Sequence, residues 1–233
     1  MKALILAAGR GKRLRPLTDT CPKPLLKANG CRLCDWSIAA LKRAGVTNLV
    51  MNTAHLADAF EELPAELAGR GIHLAISREG DRHEDALESL GGIVKALPLL
   101  TDGESPFIVA AGDVVHAFPM ERLLAKAGAV RSGEIDGHLV AVPNPSYHAK
   151  GDLTVYEDGS LEPGAGPHTY GCLMIVSPRI FAGLPAVSSK LFPWLWQWRL
   201  TAEVWTGFWG NIGDPDEFAA LQSNRDACKW ARF

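Results

Sequence analysis

The sequence predicts an α/β fold, in which a mixed, mostly parallel sheet is flanked by helices and a small, partly antiparallel lobe lies on the C-terminal side. Three observations carry this. The first 142 residues alternate short apolar runs with helical apolar spacing, the pattern of repeated β-α units. The opening run, Ala3-Leu4-Ile5-Leu6-Ala7-Ala8, is apolar throughout, as a central parallel strand covered on both faces is. After Pro143 the alternation stops, and short strands gather around turn-forming residues.

The elements follow in order. Ala3 to Ala8 is the first strand, and a Gly- and Arg-rich loop spans Gly9 to Arg15. Ile38, Leu41 and Ala44-Gly45 mark a helix ending at a glycine cap. Asn48 to Asn52 is the second strand, Leu56 to Leu67 has helical spacing, and Ile72 to Ile76 is the third strand. Gly91-Gly92 opens a helix through Ile93, Ala96, Leu97 and Leu100. Phe107 to Ala111 is the fourth strand and runs into Gly112-Asp113. Beyond Pro143, Leu153 to Tyr156 and Tyr170 to Val176 are strands bracketing the turn Glu157-Asp158-Gly159-Ser160. A last helix is expected from Asp214 to Cys228, with Asp214 as its N-cap and Pro215 at its first position. The expected organisation is one domain over 1–233: a β-α core, 1–142, and a smaller lobe with the last helix, 143–233.

Several function classes are disfavoured. The formal net charge of −2 argues against nucleic acid or a membrane surface as the main partner. No apolar run is long enough to span a bilayer. The N-terminal apolar stretch is short and leads into arginines rather than a cleavage site, so a buried strand in a cytoplasmic protein is expected. Five cysteines do not make a disulfide framework, and Cys31-Arg32-Leu33-Cys34 lacks a second pair to complete a zinc site. The seven histidines show no metal-ligand spacing and are expected at the surface or in packing.

The loop after the first strand carries the chemistry. In an open α/β sheet, ligands bind beyond the carboxyl ends of the strands, where Gly9-Arg10-Gly11-Lys12-Arg13-Leu14-Arg15 must lie. Gly9 and Gly11 let the backbone approach an anion, and Arg10, Lys12, Arg13, Arg15 and Lys23 supply positive charge before and after the first acid, Asp19. A polyphosphate explains both. A Walker loop is absent, and Leu14 stands where a dinucleotide fingerprint wants its third glycine.

The string Leu6-Ala7-Ala8-Gly9-x-Gly11-x-Arg13-Leu14-x-Pro16-Leu17-Thr18 with Pro22-Lys23-Pro24-Leu25 resembles the sugar-1-phosphate nucleotidyltransferases, and among them the short N-acetylmuramic acid 1-phosphate uridylyltransferases of cell-wall recycling. The resemblance extends through Asn52, Glu88 to Gly92, Gly112-Asp113 and Gly213-x-Pro215. It implies a Rossmann-like, GT-A-like core and Mg²⁺-dependent, in-line attack of a sugar 1-phosphate on the α-phosphorus of a nucleoside triphosphate, with UTP the expected donor. By the resemblance, Arg13 holds the β- and γ-phosphates, and Lys23 neutralises charge at the α-phosphorus. Ala7, Ala8, Gly9, Gly11 and Asn52 cradle the nucleotide; Glu88, Gly92 and Asn144 face the sugar; and Asp113 is a Mg²⁺ ligand.

Two positions depart from the family pattern. Leu90 stands where a glycine is usual, which puts a bulky side chain near the expected sugar. Asn211 stands where the relatives carry a second metal-binding Asp, so weaker Mg²⁺ binding is expected. The sequence therefore leaves two alternatives: a nucleotidyltransferase using dTTP, GTP or CTP, and a catalytically weak nucleotide-sugar-binding paralogue. The Trp-rich run Phe192 to Trp198 is expected to pack on the core. A monomer or small homo-oligomer is expected.

Overall fold

A computed structural model describes all 233 residues. β1 (Lys2–Leu6) opens the chain, and a small hairpin of β2 (Lys27–Ala28) and β3 (Cys31–Arg32) leads into α1 (Asp35–Arg43). Then come β4 (Asn48–Thr53), α2 (Leu63–Ala68), β5 (His73–Arg78), α3 (Glu88–Leu100), β6 (Phe107–Ala111) and β7 (Val114–His116). Two short helices, α4 (Glu121–Ala125) and α5 (Ala127–Ser132), precede β8 (Gly137–Pro143). The remainder supplies β9 (Leu153–Val155), β10 (Leu161–Pro163), β11 (His168–Val176), β12 (Leu200–Val204), β13 (Trp209–Asn211) and α6 (Pro215–Ser223).

The main sheet runs β10-β9-β11-β6-β1-β4-β5, with β8 paired to both β11 and β12. Its centre is parallel: β1 lies between β4 and β6, and β5 follows β4. β11 then lies antiparallel beside β6. The expected mixed sheet flanked by helices is therefore present. The change of pattern at 143 does not coincide with a break in the sheet, because β11 and β12 come from the second half and join the same layer.

The uniformly apolar first strand has the expected cause. Ala3 and Ile5 pack into one core with Ile38, Met51 and Phe60, while Leu4 packs into another with Ile93, Val109 and Phe181. Each face of β1 is covered, so neither tolerates a polar residue.

Three elements differ from expectation. The segment Leu56 to Leu67 is a 3-10 turn (Ala57–Phe60) followed by α2, because Pro64 fits only in a first helical turn. α3 begins at Glu88, so Gly91 and Gly92 lie within its first turns rather than opening it. Leu90 is 6% exposed and packs in the core, so it is not the bulky group expected near the sugar. The final helix stops at Ser223 and continues as a 3-10 turn, Arg225–Trp230. Its start is as expected: Asp214 accepts from the Glu217 N–H at 3.0 Å, and the Glu217 carboxylate accepts from the N–H groups of Gly213 and Asp214.

Candidate active site

The parallel strands β1, β4 and β6 end together, and their last residues deliver the candidate groups to one edge. Leu6, Ala8, Gly9, Asn52, Ala111 and Asp113 line one cavity of about 340 Å³ there, with Glu88 on its rim. Of the sequence-predicted nucleotide residues, Ala8, Gly9 and Asn52 meet here, together with the metal candidate Asp113 and the sugar candidate Glu88.

Each is placed for a local reason. Nothing lies within 4 Å of where a Gly9 Cβ would sit, so the backbone there is open to a ligand. Gly11 is different. Its φ is +67°, and a Cβ would meet Thr18 at 2.9 Å and Lys23 at 3.0 Å, so only glycine fits. The Gly11 carbonyl accepts from Leu14 N and Thr18 Oγ1, which ties the cationic loop down. Glu88 has φ +56°, a conformation a non-glycine residue adopts only where its surroundings impose it.

Asn52, 2% exposed, links this edge together. Its Oδ1 accepts from Ala7 N at 2.8 Å, and its Nδ2 donates to Glu79 Oε1 at 2.7 Å. Glu79 Oε2 in turn accepts from Leu87 N at 2.7 Å, just before α3. The Ala7 N–H is thus spent inside the protein, and the free cradle is Ala8 to Gly9. Burial pushes the Glu79 carboxyl up, opposed by the Leu87 and Asn52 hydrogen bonds. A Cβ on Gly92 would lie 2.5 Å from Glu79 Oε1 and 2.7 Å from Asn52 Nδ2. Gly92 therefore makes room for this bridge, and that requirement accounts for the glycine without a sugar contact.

Lys23 and Asp113 converge. Lys23, 8% exposed, reaches Asp113 Oδ2 with its ammonium at 2.5 Å. Asp113 follows β6 and Gly112, whose position against the Leu6 carbonyl brings the chain tightly past β1. β13 pairs with β7, setting Asn211 opposite Val114, and Ile212 N donates to the Asp113 carbonyl at 3.1 Å. The two predicted metal ligands thus lie on adjoining segments, with Asp113 lining the Gly9 cavity and Asn211 the second cavity described below. One carboxylate and one amide oxygen fit Mg²⁺, which takes few protein oxygens and completes its shell with water and substrate phosphates. No group of three or more His, Cys, Asp or Glu side chains is arranged to hold a metal. Asp214 is occupied in its helix cap, as expected.

Arg13 lies elsewhere. Its guanidinium is against Gly213, and it faces a second cavity of about 690 Å³ with Asn211, Tyr147, Asp152, Tyr170 and Cys172. The cations of the loop divide accordingly. Arg10 and Lys12 face the Gly9 cavity, and Arg15 pairs with Asp19 at 2.8 Å. Asn144, expected to face the sugar, is instead a loop brace. Its amide donates to the carbonyls of Ala149 at 3.1 Å and Gly166 at 2.7 Å, and its Oδ1 accepts from Thr169.

The second cavity also holds residues that sequence reasoning missed. β11 has a bulge between Tyr170 and Leu173, with Cys172 at φ +61°. The Trp209 indole donates to the Gly171 carbonyl at 3.0 Å, which hangs β13 over that bulge. Burial pushes the Cys172 thiol up to about 12, and Asp113 adds to the rise, so it stays protonated. Of the Trp-rich run, Leu195 is buried and Trp194, Trp196 and Trp198 pack on the core as expected, while Trp196 also walls the cavity.

The arrangement offers fixed cations, open backbone and a carboxylate, with no nucleophile–base pair. It suits charge stabilisation during phosphoryl chemistry. Residues 2–151 match the nucleotidyl transferase family. The chain is 39% identical to the N-acetylmuramate alpha-1-phosphate uridylyltransferase of Neisseria meningitidis serogroup B, over 98% of this chain and 100% of that one. It is 34% identical to the protein of the same name from Caulobacter vibrioides, over 95% of each. It is also 31% identical to the mannose-1-phosphate guanylyltransferase catalytic subunit beta of Danio rerio, spanning 62% of that protein. Among solved structures, HddC from Yersinia pseudotuberculosis with GMP-PN superposes at TM-score 0.76 over 95% of this chain and 98% of its own, with 19% identity. The T. maritima inositol-1-phosphate CTP transferase superposes at 0.74 over 97% and 96%, with 17% identity. Taken with the geometry, these similarities establish that the chain belongs to the sugar-1-phosphate nucleotidyltransferases of the nucleotidyl transferase family.

Proposed function

We propose that this chain transfers UMP from UTP to N-acetylmuramic acid 1-phosphate, releasing pyrophosphate, in the cytoplasm. The observation that carries nucleotidyl transfer is the meeting of Lys23 and Asp113, 2.5 Å apart, at the strand ends beside the open Gly9 backbone. The choice of uridylyl donor and of sugar is supported by the 39% identity over nearly the whole chain. Family members use a nucleoside triphosphate, a sugar phosphate and generally a divalent metal.

The sugar phosphate is itself the nucleophile, so no general base is required. The residues orient it in line with the α-phosphorus and stabilise the charge that moves onto the departing pyrophosphate. In this reading Lys23 faces the α-phosphoryl oxygens. Gly9 N–H, Arg10 and Lys12 face the triphosphate tail, with Arg13 coming from the Gly213 side. Glu88 accepts from hydroxyls at the rim. Asp113 and Asn211 would hold Mg²⁺, which would supply charge neutralisation there. A pyrophosphate-release assay across UTP, dTTP, GTP and CTP with a panel of sugar 1-phosphates, with and without Mg²⁺, tests this. Release with UTP and N-acetylmuramic acid 1-phosphate is expected. A preference for GTP would instead favour the guanylyl reading suggested by the 31% identical relatives.

A further inference from the structure

We propose that Lys150 recognises an acidic substituent on the acceptor, so that the second cavity selects a sugar acid over the corresponding neutral sugar. The proposal rests on the uridylyltransferase reading above and names the group that would give it acceptor selectivity.

The cavity has an apolar wall suited to the C–H face of a pyranose. Tyr170 and Phe192 meet edge to face at 5.2 Å, and Phe192 lies 4.4 Å from Trp196. Its one carboxylate is already spent: Asp152 Oδ1 pairs with His148 at 2.9 Å, and Oδ2 accepts from Tyr170 N at 2.9 Å. Arg13 sits against Gly213, beside Asn211 and hence on the side of the reacting phosphates. Lys150 is the other cation on the lining and makes no salt bridge.

Its backbone is nevertheless held firmly. The Lys150 carbonyl accepts from Gly166 N at 2.9 Å, and Gly151 turns at φ +62°, where a Cβ would lie 2.3 Å from the Gly166 carbonyl. Asn144 ties Ala149 to Gly166 across the same turn. Lys150 is exposed at the mouth of this aromatic-walled cavity, and its anchored backbone presents an ammonium that a carboxylate on the acceptor can pair with.

The test compares kcat/KM for N-acetylmuramic acid 1-phosphate with that for N-acetylglucosamine 1-phosphate, which lacks only the lactyl carboxylate arm. We expect the wild type to prefer the acid, Lys150→Gln to lower that preference about tenfold through KM, Lys150→Glu to lower it further, and Lys150→Arg to keep it. The preference should also weaken as salt is raised. An unchanged preference in both Lys150→Gln and Lys150→Glu overturns the proposal. So does a wild type that turns over only the neutral sugar, which would leave uridylyl transfer intact. Absence of pyrophosphate release from every donor and acceptor pair would instead overturn the underlying reading.

Discussion

The ammonium of Lys23 and the carboxylate of Asp113 occupy one point, and replacing either leaves the other's charge without its partner. Lys23→Ala should lower kcat in the pyrophosphate-release assay by about 10²–10³-fold, the range for loss of one preorganised electrostatic group, while the far-ultraviolet circular dichroism stays unchanged. Near-normal turnover would remove Lys23 from the mechanism. Asn211 supplies an oxygen without a charge, so Asn211→Asp should lower the Mg²⁺ concentration for half-maximal activity by about tenfold. A Mg²⁺ titration that does not move would separate Asn211 from the metal. At this scale the sequence was legible where a residue lies at or just beyond a strand end: Gly9 after β1, Asn52 near the end of β4 and Asp113 after β6. It was not legible for Glu79, Cys172 or Trp209, whose importance depends on partners 27 to 38 residues distant. No local spacing encodes such pairings.

Among elements, α3 shows how a helix start is adapted to its neighbours. Ser189 supplies a carbonyl to Leu90 N at 3.0 Å, and a Gly91 Cβ would lie 2.1 Å from the Val187 carbonyl, so the 187–189 segment sits directly on the first turn. The second glycine accommodates the Asn52–Glu79 bridge. Gly92→Ala should therefore destabilise the fold by about 1–3 kcal/mol, the range for overpacking, and raise KM for the nucleotide. Thermal melts and nucleotide titration of this variant check both effects. A variant with wild-type melting would show that the bridge yields without cost. By contrast the α6 cap was readable in advance, since Asp214, Pro215 and Glu217 state it locally. Asp214→Ala should cost about 1 kcal/mol by urea denaturation.

For the whole molecule, the buried His116 ties stability to pH. Its Nδ1 accepts from Phe118 N at 3.2 Å, so the proton rests on Nε2, which donates to Ser37 Oγ at 3.2 Å, and Ser37 in turn donates to the Ala111 carbonyl. Burial pushes the imidazole down from its ordinary 6.5 to about 3. Between those values the unfolded chain binds the extra proton and the folded chain does not, so stability falls as pH drops below 6.5. Moving from pH 7.5 to pH 5 should remove about 2 kcal/mol through this residue alone. Urea titrations at both pH values should show a smaller loss in His116→Gln, and an equal loss would assign the acid sensitivity elsewhere. The parallel half of the sheet was legible from apolar periodicity. The position of β11 beside β6 was not, because it joins residues more than sixty apart in sequence.

That one pairing sets how the reactants come to face each other. Under the proposed reading, the donor-side residues hang from the ends of β1, β4 and β6, while Tyr170 and Cys172 of the second cavity belong to β11, hydrogen-bonded to β6 from Phe107 to Ala110. Both therefore hang from one continuous sheet. If the proposed assignment holds, folding itself sets the two substrates side by side along that sheet.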